Sequence, residues 1–246
     1  MLNEHKPIHI SLVSYLNSYP FHYGLLMSDN MEFNTPEIVP PAQCAENFRN
    51  GKSNIALVPV GALPEMDSYK IVAPFCIGAS GVVKSVFLQS RVPLNTIKSI
   101  ALDPASRSSN LLTKVLCKNA WNINPEFIEN ETIADARVII GDRALKNANA
   151  FPLSFDLAEE WKKKYNLPFI FAVWIAKKEI PERTLRNLNA ALELGVSNIH
   201  KALQKLGSAD LNQEEATLYL EENIVFRMDS DAKEAMDLFL RLAKIA

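Results

Sequence analysis

The chain has 246 residues, of which 48% are hydrophobic and 22% charged, and its formal net charge is −2. This balance is ordinary for a globular protein, and it leaves no excess of positive charge for binding nucleic acid or an anionic membrane. No apolar run approaches the roughly 18 residues that a membrane-spanning helix needs. The first residues have mixed charge and no long apolar stretch, which favours a soluble cytoplasmic protein over an exported one.

The cysteines and histidines do not suggest a metal or disulfide site. Cys44, Cys76 and Cys117 are odd in number, contain no CxxC pair and lie in apolar contexts. We interpret them as reduced, buried thiols. The four histidines show no ligand spacing, so we expect no metal site.

Strand patterns dominate the first three quarters of the chain. Several are apolar throughout, which is typical of strands covered on both faces of an α/β sheet. The predicted strands are residues 8–14, 37–40, 55–60, 69–78, 83–90, 99–103, 125–129, 136–142 and 169–177.

Helical patterns lie between these strands and then replace them. The predicted helices are residues 41–51, 108–121, 156–167, 181–207, 212–223 and 230–246. Asn212 and Glu215 have the spacing of a capping box at the start of one helix. This order predicts an α/β fold that is followed by a helical C-terminal tail.

Two of the predicted strands are candidates for crossing between two lobes. They are residues 83–90 and 169–177, and each is flanked by turn or helix material. We expect lobe one to comprise residues 1–90 plus 175–246, and lobe two to comprise residues 91–174. Two crossings create a hinge and a cleft between the lobes, where a small ligand is commonly bound.

Polar residues follow predicted strands at four places, and ligands of open α/β sheets bind beyond the carboxyl ends of strands. The stretch SYLNSYP after the first strand offers Ser14 and Asn17, although a self-bonded turn also explains it. Gly78 would let the backbone approach a ligand, or would only soften a bulge. Ser85 lies where the chain enters a crossing strand.

The other two loops lead from a strand into a helix. Ser106, Ser108 and Ser109, with the free N–H groups at the start of the following helix, form a receptor for a carboxylate or phosphate. Simple capping explains only one of these three serines. Asp142 follows another strand, and ligand binding and helix capping explain it equally well.

The loops do not contain a strong general base. They carry Ser, Asn, Gly and Tyr rather than His, Glu or Lys, and no Walker A, GxGxxG or GxSxG motif occurs in the sequence. The residues therefore indicate a two-lobed binder of a small anion. Such a protein is either a receptor or an enzyme that works through orientation and hydrogen bonds.

Six stretches, in this order, carry a resemblance that extends over nearly the whole chain. They are SYLNSYP (14–20), NIALVPVGAL (54–63), CIGASGVVKSVFLQSR (76–91), LDPASRSSNLL (102–112), IGDRAL (140–145) and DLAEEWKKKYNLPFIFAVW (156–174). The combination of SYLN-x-x-P with LPFxFAVW is the most specific part. The chain resembles the chorismate dehydratase family of menaquinone biosynthesis by the futalosine pathway.

The resemblance implies a type 2 periplasmic-binding-protein fold and an enzyme that removes water from chorismate, with no metal or organic cofactor. The product would be 3-[(1-carboxyvinyl)oxy]benzoate. Asn17 and Ser85 would contact the reacting ring as catalytic residues. The substrate-binding residues would be Ser14, Gly78, Ser106, Ser108, Ser109 and Asp142.

Two other functions stay open. One is a solute-binding protein that captures a small carboxylate without consuming it, and the other is the sister 1,4-dihydroxy-6-naphthoate synthase. Asn54 and Ser80 stand where the family is often acidic, and Phe21 stands where it is aliphatic, which bears on substrate choice. The tail from Pro181 has enough amphipathic surface for a homodimer, although packing on lobe one is simpler.

Overall fold

Two β-sheets organise the computed structural model, which describes residues 7–28, 33–129, 132–147 and 150–244. The strands are β1 (Ile10–Val13), β2 (Glu37–Val39), β3 (Ile55–Pro59), β4 (Tyr69–Ala79), β5 (Val86–Ser90), β6 (Ser99–Ala101), β7 (Glu126–Ile128), β8 (Ala136–Ile140), β9 (Leu153–Asp156), β10 (Phe169–Lys177) and β11 (Val225–Arg227). The helices are α1 (Tyr19–Met27), α2 (Pro41–Arg49), α3 (Arg107–Leu116), α4 (Asp142–Lys146), α5 (Leu157–Tyr165), α6 (Glu182–Val196), α7 (Ile199–Leu206), α8 (Gln213–Leu218) and α9 (Ser230–Ala243).

Each sheet mixes parallel and antiparallel strands. Within the described residues, the first sheet has the order β11-β4-β10-β3-β1-β2 and the second has the order β7-β6-β8-β5-β9. In the first sheet β1 is parallel to β2 and β3, whereas β10 lies antiparallel between β3 and β4. In the second sheet β6 is parallel to β7 and β8, and β5 is antiparallel to β8 and β9. The predicted two-lobed α/β architecture with a helical tail is confirmed.

Strand pairing assigns β5 and β10 to different sheets. Strand β5, which lies in the expected lobe one, pairs with β8 and β9 of the second sheet. Strand β10, most of which lies in the expected lobe two, is central in the first sheet. We propose that lobe one comprises residues 7–79 plus 169–244 and that lobe two comprises residues 86–156. The connections are then residues 80–85 and the α5 segment.

The stretch after β1 forms a turn, which was one of its two interpretations, and a helix that was not predicted follows it. A 3₁₀ turn covers Leu16–Ser18 and α1 follows directly, with Pro20 in its first turn. Proline is tolerated there because the first N–H groups of a helix have no partner within the helix. The helix has no polar face that the sequence pattern could reveal, since Pro20, Phe21, Tyr23, Gly24 and Leu25 are all buried.

Helix α1 is buried because it packs against the C-terminal tail at backbone distance. A Cβ atom on Gly24 would lie 1.9 Å from the carbonyl oxygen of Ala191, and one on Gly195 would lie 1.8 Å from that of Pro20. The tail therefore packs on lobe one. The predicted helix 181–207 is two helices, α6 and α7, which are separated at Ser197 and Asn198.

Two short strands and several helix ends differ from the sequence prediction. Strands β9 and β11 were not predicted, because three or four residues at a sheet edge give little periodicity.

The capping box of Asn212 and Glu215 is present at the start of α8, as predicted. Residues 245 and 246, at the end of the last predicted helix, lie outside the described residues, as do residues 1–6 of the expected lobe one.

Three cysteines lie in the described part of the chain. Cys44, Cys76 and Cys117 are free and buried, as predicted. Burial raises the pKa of the Cys76 and Cys117 thiols to about 12, so both stay protonated. In the ranges that the structure describes, no helix is both long and apolar enough to cross a membrane.

Candidate functional site

A cavity lies between the two sheets and contains about 520 Å³ of space not occupied by atoms, including its open mouth. Its walls come from the carboxyl ends of β1, β3 and β8, from the start of β5 and from the N-terminus of α3. The lining residues are Val13, Tyr15, Asn17, Pro41, Pro59, Ile77, Val83, Ser85, Val86, Ser106, Ser108, Ser109, Ile140, Gly141, Phe171 and Ala172.

Strand direction explains why these segments meet. Strands β1 and β3 are parallel, so their carboxyl ends share one edge of the first sheet. In the second sheet Val86 pairs with Ile140 across antiparallel strands, which puts the start of β5 beside the end of β8. Each sheet therefore contributes the edge that the sequence analysis associated with ligand binding.

The cavity contains five of the eight predicted site residues. Asn17, Ser85, Ser106, Ser108 and Ser109 line it, and they come from both sides of the cleft. None of the lining residues in the described part of the chain carries a charge. An anionic ligand would therefore depend on hydroxyl, amide and backbone N–H dipoles in this cavity.

Ser14 and Gly78 lie next to the lining but are not part of it. The Ser14 backbone N–H donates to the carbonyl oxygen of Val39 at 3.0 Å. A Cβ atom on Gly78 would lie 2.8 Å from Ile170 Cδ1 and 2.9 Å from the carbonyl oxygen of Phe169. Gly78 is therefore needed for strand packing within the first sheet, which is a different reason from the predicted ligand approach.

Asp142 connects the lobes rather than lining the cavity. Its Oδ1 accepts a hydrogen bond from the Leu16 backbone N–H at 3.1 Å, across the cleft. The carboxylate does not cap α4, whose N-cap residue is Gly141. Burial raises the pKa of Asp142, and the Leu16 N–H acts in the opposite direction. Asp142 thus holds the loop that carries Asn17.

Asn17 projects from the 3₁₀ turn after β1 with its side-chain oxygen unsatisfied. The Oδ1 atom is buried and has no hydrogen-bond partner among the described residues. Leaving a buried acceptor unpaired is costly, by about 1–3 kcal/mol. Because Asn17 lines the cavity, a ligand donor is a natural partner for this atom.

Ser85 lies at the end of the connection between β4 and β5, and only 1% of its surface is exposed. Its carbonyl oxygen accepts a hydrogen bond from the Gly141 N–H at 2.8 Å. Its hydroxyl accepts one from the Tyr219 hydroxyl, also at 2.8 Å. Both the backbone and the side chain of Ser85 are therefore held in place.

The three serines at the start of α3 have separate roles. Ser106 is the N-cap residue, and its hydroxyl accepts from the Ser109 N–H at 3.1 Å. The Ser108 hydroxyl donates to the carbonyl oxygen of Phe171 at 2.8 Å and accepts from the Gly61 N–H at 3.0 Å. Ser108 therefore joins the lobes, which leaves Ser106 and Ser109 better placed to contact a ligand.

Arg107 does not add charge to the cavity. Its guanidinium pairs with the Glu65 carboxylate of lobe one. Since the α3 N-terminus also approaches the backbone of Gly61, where a Cβ would lie 2.9 Å from Ser108 Cα, the lobes are in close contact here. The positive end of the α3 dipole remains the main electrostatic feature of this wall.

Tyr15 and Gly141 form a further contact between the lobes. Gly141 has a φ of +65°, and a Cβ there would lie 2.7–2.8 Å from three atoms of the Tyr15 ring. Burial, together with the Asp103 carboxylate, raises the pKa of Tyr15 to about 12. The ring is therefore a neutral wall of the cavity that requires glycine opposite it.

Replacing Gly141 by Ala is expected to destabilise the protein by about 2–4 kcal/mol, through backbone strain and the clash with Tyr15. A ligand of the cavity should also bind more weakly, because the cleft cannot close to the same extent. Urea unfolding and calorimetric titration measure the two effects. Gly51→Ala is the matched control, since Gly51 has a φ of +73° but nothing within 4 Å of its Cβ position. Equal losses in the two variants would contradict a role for the Tyr15 contact.

Asp156 links both connections between the lobes. Its Oδ2 accepts from the N–H groups of Val83 and Lys84 at 2.9 and 2.8 Å, and its Oδ1 accepts from those of Ala158 and Glu159 at 3.1 Å each. Burial raises the pKa of Asp156 to about 6, while the four N–H groups act to lower it. This carboxylate sets the path of the chain just before Ser85.

The residues that depart from the family pattern are not in the cavity lining. Asn54 Oδ1 accepts from the His9 N–H at 2.9 Å at the far end of the first sheet. Ser80 is exposed on the connection between the lobes. Phe21 is fully buried and makes edge-to-face contacts with Phe75 and Trp174. These positions therefore act on packing and connection rather than on direct ligand contact.

Two residues that support the site, Tyr219 and Asp156, are not among the predicted site residues. Tyr219 belongs to the tail, and only the fold brings it to Ser85 from 134 positions away. Asp156 is the first residue of the predicted helix 156–167, and it caps α5. In the described ranges, no group of three or more His, Cys, Asp or Glu residues is arranged to hold a metal ion.

Comparison with known proteins identifies a family and several relatives. A family model described as menaquinone biosynthesis matches residues 8–244. The chorismate dehydratase of Thermus thermophilus is 28% identical over 200 residues, which are 72% of either chain. The chorismate dehydratase of Campylobacter jejuni is 30% identical over 150 residues, which are 59% of either chain.

Solved structures support the fold over the full length. A protein of Archaeoglobus fulgidus superposes with a TM-score of 0.78 at 16% identity, covering 99% of this chain and 98% of its own. A Candida albicans protein with the generic periplasmic-binding-protein fold gives 0.62 at 11%, covering 98% and 91%. The alkanesulfonate-binding protein of Xanthomonas axonopodis, bound to MOPS, gives 0.59 at 15%, covering 96% and 93%.

These neighbours confirm the predicted periplasmic-binding-protein fold, and their low identity limits them to the fold. The family model spans nearly all of the described residues, including every segment that lines the cavity. The chain belongs to the menaquinone biosynthesis family.

Proposed function

We propose that the protein is a chorismate dehydratase, a hydro-lyase that forms 3-[(1-carboxyvinyl)oxy]benzoate for menaquinone biosynthesis by the futalosine pathway. The observation that carries the proposal is a cavity lined by uncharged residues, among them Asn17, whose Oδ1 is unsatisfied, Ser85 and the serines at the N-terminus of α3. The similarity to curated chorismate dehydratases supports the same substrate.

The α3 N-terminus is the proposed receptor for one carboxylate of chorismate. Backbone N–H groups at a helix start point towards a bound anion, and the helix dipole favours negative charge there. Ser106 and Ser109 lie at this end of the cavity and would add hydroxyl donors. Ser108 would act indirectly, since it holds the lobes together around the ligand.

The reaction needs stabilisation of developing charge more than a strong base. The C3–H bond of chorismate breaks, the electrons pass through the ring alkene to the ring carboxylate, and the C4–O bond breaks as hydroxide leaves. Ser85 would donate a hydrogen bond to the dienolate, and Asn17 would orient the hydroxyl group. Neither is a competent base, so the substrate's own enolpyruvyl carboxylate or a bound water would take the proton, and aromatisation drives the loss of water.

The proposal is tested by adding chorismate alone to the purified protein. A product lighter by one water, which retains the enolpyruvyl group and absorbs as an aromatic ring, would establish the activity. Calorimetric binding without turnover would instead establish a solute-binding protein. Absence of both would overturn a chorismate site in this cavity.

Replacing Asn17 by Ala is expected to lower kcat by about 10²-fold, because the reacting hydroxyl loses its orienting partner. Asn17→Asp should also be slow, since a carboxylate would repel the anionic substrate in a cavity without cations. Steady-state kinetics with chorismate measure both. Asn189→Ala is the control, because Asn189 also has a buried, unsatisfied Oδ1 but lies on α6. Asn17→Ala turnover equal to that of the parent would contradict the role.

A further inference from the structure

We propose that Tyr219, in the C-terminal tail, is a positioning residue that sets the orientation of the Ser85 hydroxyl. This inference rests on the proposed function, because it assigns Tyr219 a task in that same site. Tyr219 does not line the cavity. It contacts Ser85, and acts on the substrate only through it.

The hydroxyl of Tyr219 reaches Ser85. It donates to Ser85 Oγ at 2.8 Å. Tyr219 is 3% exposed, so water does not compete for this bond. Burial, reinforced by the Asp142 and Asp156 carboxylates, raises the pKa of Tyr219, and the phenol therefore keeps its proton.

The number of hydrogens that Tyr219 can donate assigns the direction of its hydrogen bond to Ser85. A phenol has one hydrogen, and Tyr219 gives it to Ser85 Oγ. Ser85 must then direct its own hydrogen elsewhere, and its hydroxyl lines the cavity. The result is a serine that presents a donor, rather than an acceptor, to an anionic group in the cleft.

The backbone around Tyr219 is also shaped for this contact. Residues Tyr219–Asn223 form a π-helical turn that follows α8, and such turns are frequent at functional sites. At its other end, Asn223 Nδ2 donates to the carbonyl oxygen of Val82 at 3.0 Å. The turn thus holds two points of the connection that carries Ser85, at residues 82 and 85.

The test is a double-mutant cycle on kcat with chorismate. Tyr219→Phe removes only the hydroxyl, and it is expected to lower kcat about tenfold or more with little change in KM. In a Ser85→Ala background, the same substitution should lower kcat by less than about threefold, because its main target is gone. Full effects in both backgrounds, or a Tyr219→Phe variant as fast as the parent, would overturn the proposal.

The controls separate positioning from folding. Tyr165→Phe should leave kcat unchanged, since the buried Tyr165 hydroxyl has no partner among the described residues and lies on α5. If Tyr219→Phe fails to fold, Asn223→Ala takes its place in the cycle, because it removes the hydrogen bond between the π-helical turn and Val82. Asn223→Ala should lower kcat by about threefold in the parent and hardly at all in the Ser85→Ala background.

A failure of the proposed function can be distinguished from a failure of the Tyr219 proposal. If the parent protein does not convert chorismate, the same cycle is measured as calorimetric Kd values for 3-[(1-carboxyvinyl)oxy]benzoate. Weaker binding by Tyr219→Phe that disappears in the Ser85→Ala background would support positioning of a binding site. Unchanged Kd values would overturn the role of Tyr219 independently of catalysis.

Discussion

Replacing Ser85 by Ala is expected to lower kcat for chorismate by about 10²- to 10³-fold, with a much smaller change in KM. The Ser85 hydroxyl is held by Tyr219 at 2.8 Å and lines an uncharged cavity. A pre-oriented donor is most effective where charge develops and water is excluded. Single-turnover kinetics with saturating chorismate measure the chemical step directly.

The substitution should act on catalysis rather than on folding. Its matched control is Ser53→Ala, because Ser53 is equally buried, at 1% exposure, and its hydroxyl has no partner among the described residues. Ser53→Ala should turn over chorismate at the parent rate. A Ser85→Ala enzyme within threefold of the parent would show that another group stabilises the dienolate.

Replacing Asp156 by Ala is expected to lower the free energy of unfolding by about 3–5 kcal/mol, which is above the usual range for a single substitution. Four backbone N–H groups, from both connections between the lobes, lose their acceptor. Each unsatisfied buried donor costs about 1–3 kcal/mol, and relaxation reduces the sum. Urea denaturation measures the loss.

Asp156→Ala should also impair the site, since Val83 lines the cavity and Ser85 follows two residues later. Asp135→Ala is the matched control. Asp135 Oδ2 accepts from the N–H groups of Lys98 and Ser99, all within the second lobe. Asp135→Ala should therefore reduce stability without changing kcat. If Asp156→Ala lost less than about 1 kcal/mol, the carboxylate would not be the link between the two connections.

Much of the architecture could be predicted from residue patterns within short stretches of the chain. Apolar strands such as β3 and β10 were predicted because covered strands need side chains that are apolar on both faces. The capping box of Asn212 and Glu215 was predicted because both partners lie within one helical turn. Helix α1 was not predicted, because its exposed residues Leu26 and Met27 are as apolar as its buried ones and the sequence shows no periodicity.

The candidate site, like the fold, has features that the sequence predicted and features that it did not. Asn17, Ser85 and the serines before α3 were found because each follows or precedes a predicted strand or helix, and sheet topology then brings these ends together. The task of Ser108 was not foreseeable, since its partners Gly61 and Phe171 belong to the other lobe. Gly78 was predicted to let the backbone approach a ligand, because the sequence does not show which strand packs against this glycine.

The sequence by itself determined the α/β class, the order of strands and helices, and the polar loops that line the cleft. These follow from periodicity and from residue chemistry within a few positions of the chain. Only the tertiary structure decided which sheet β5 and β10 join, and that Tyr219 contacts Ser85. The physical reason is that these features depend on hydrogen bonds between distant segments, and one-dimensional spacing does not contain the partner of such a bond.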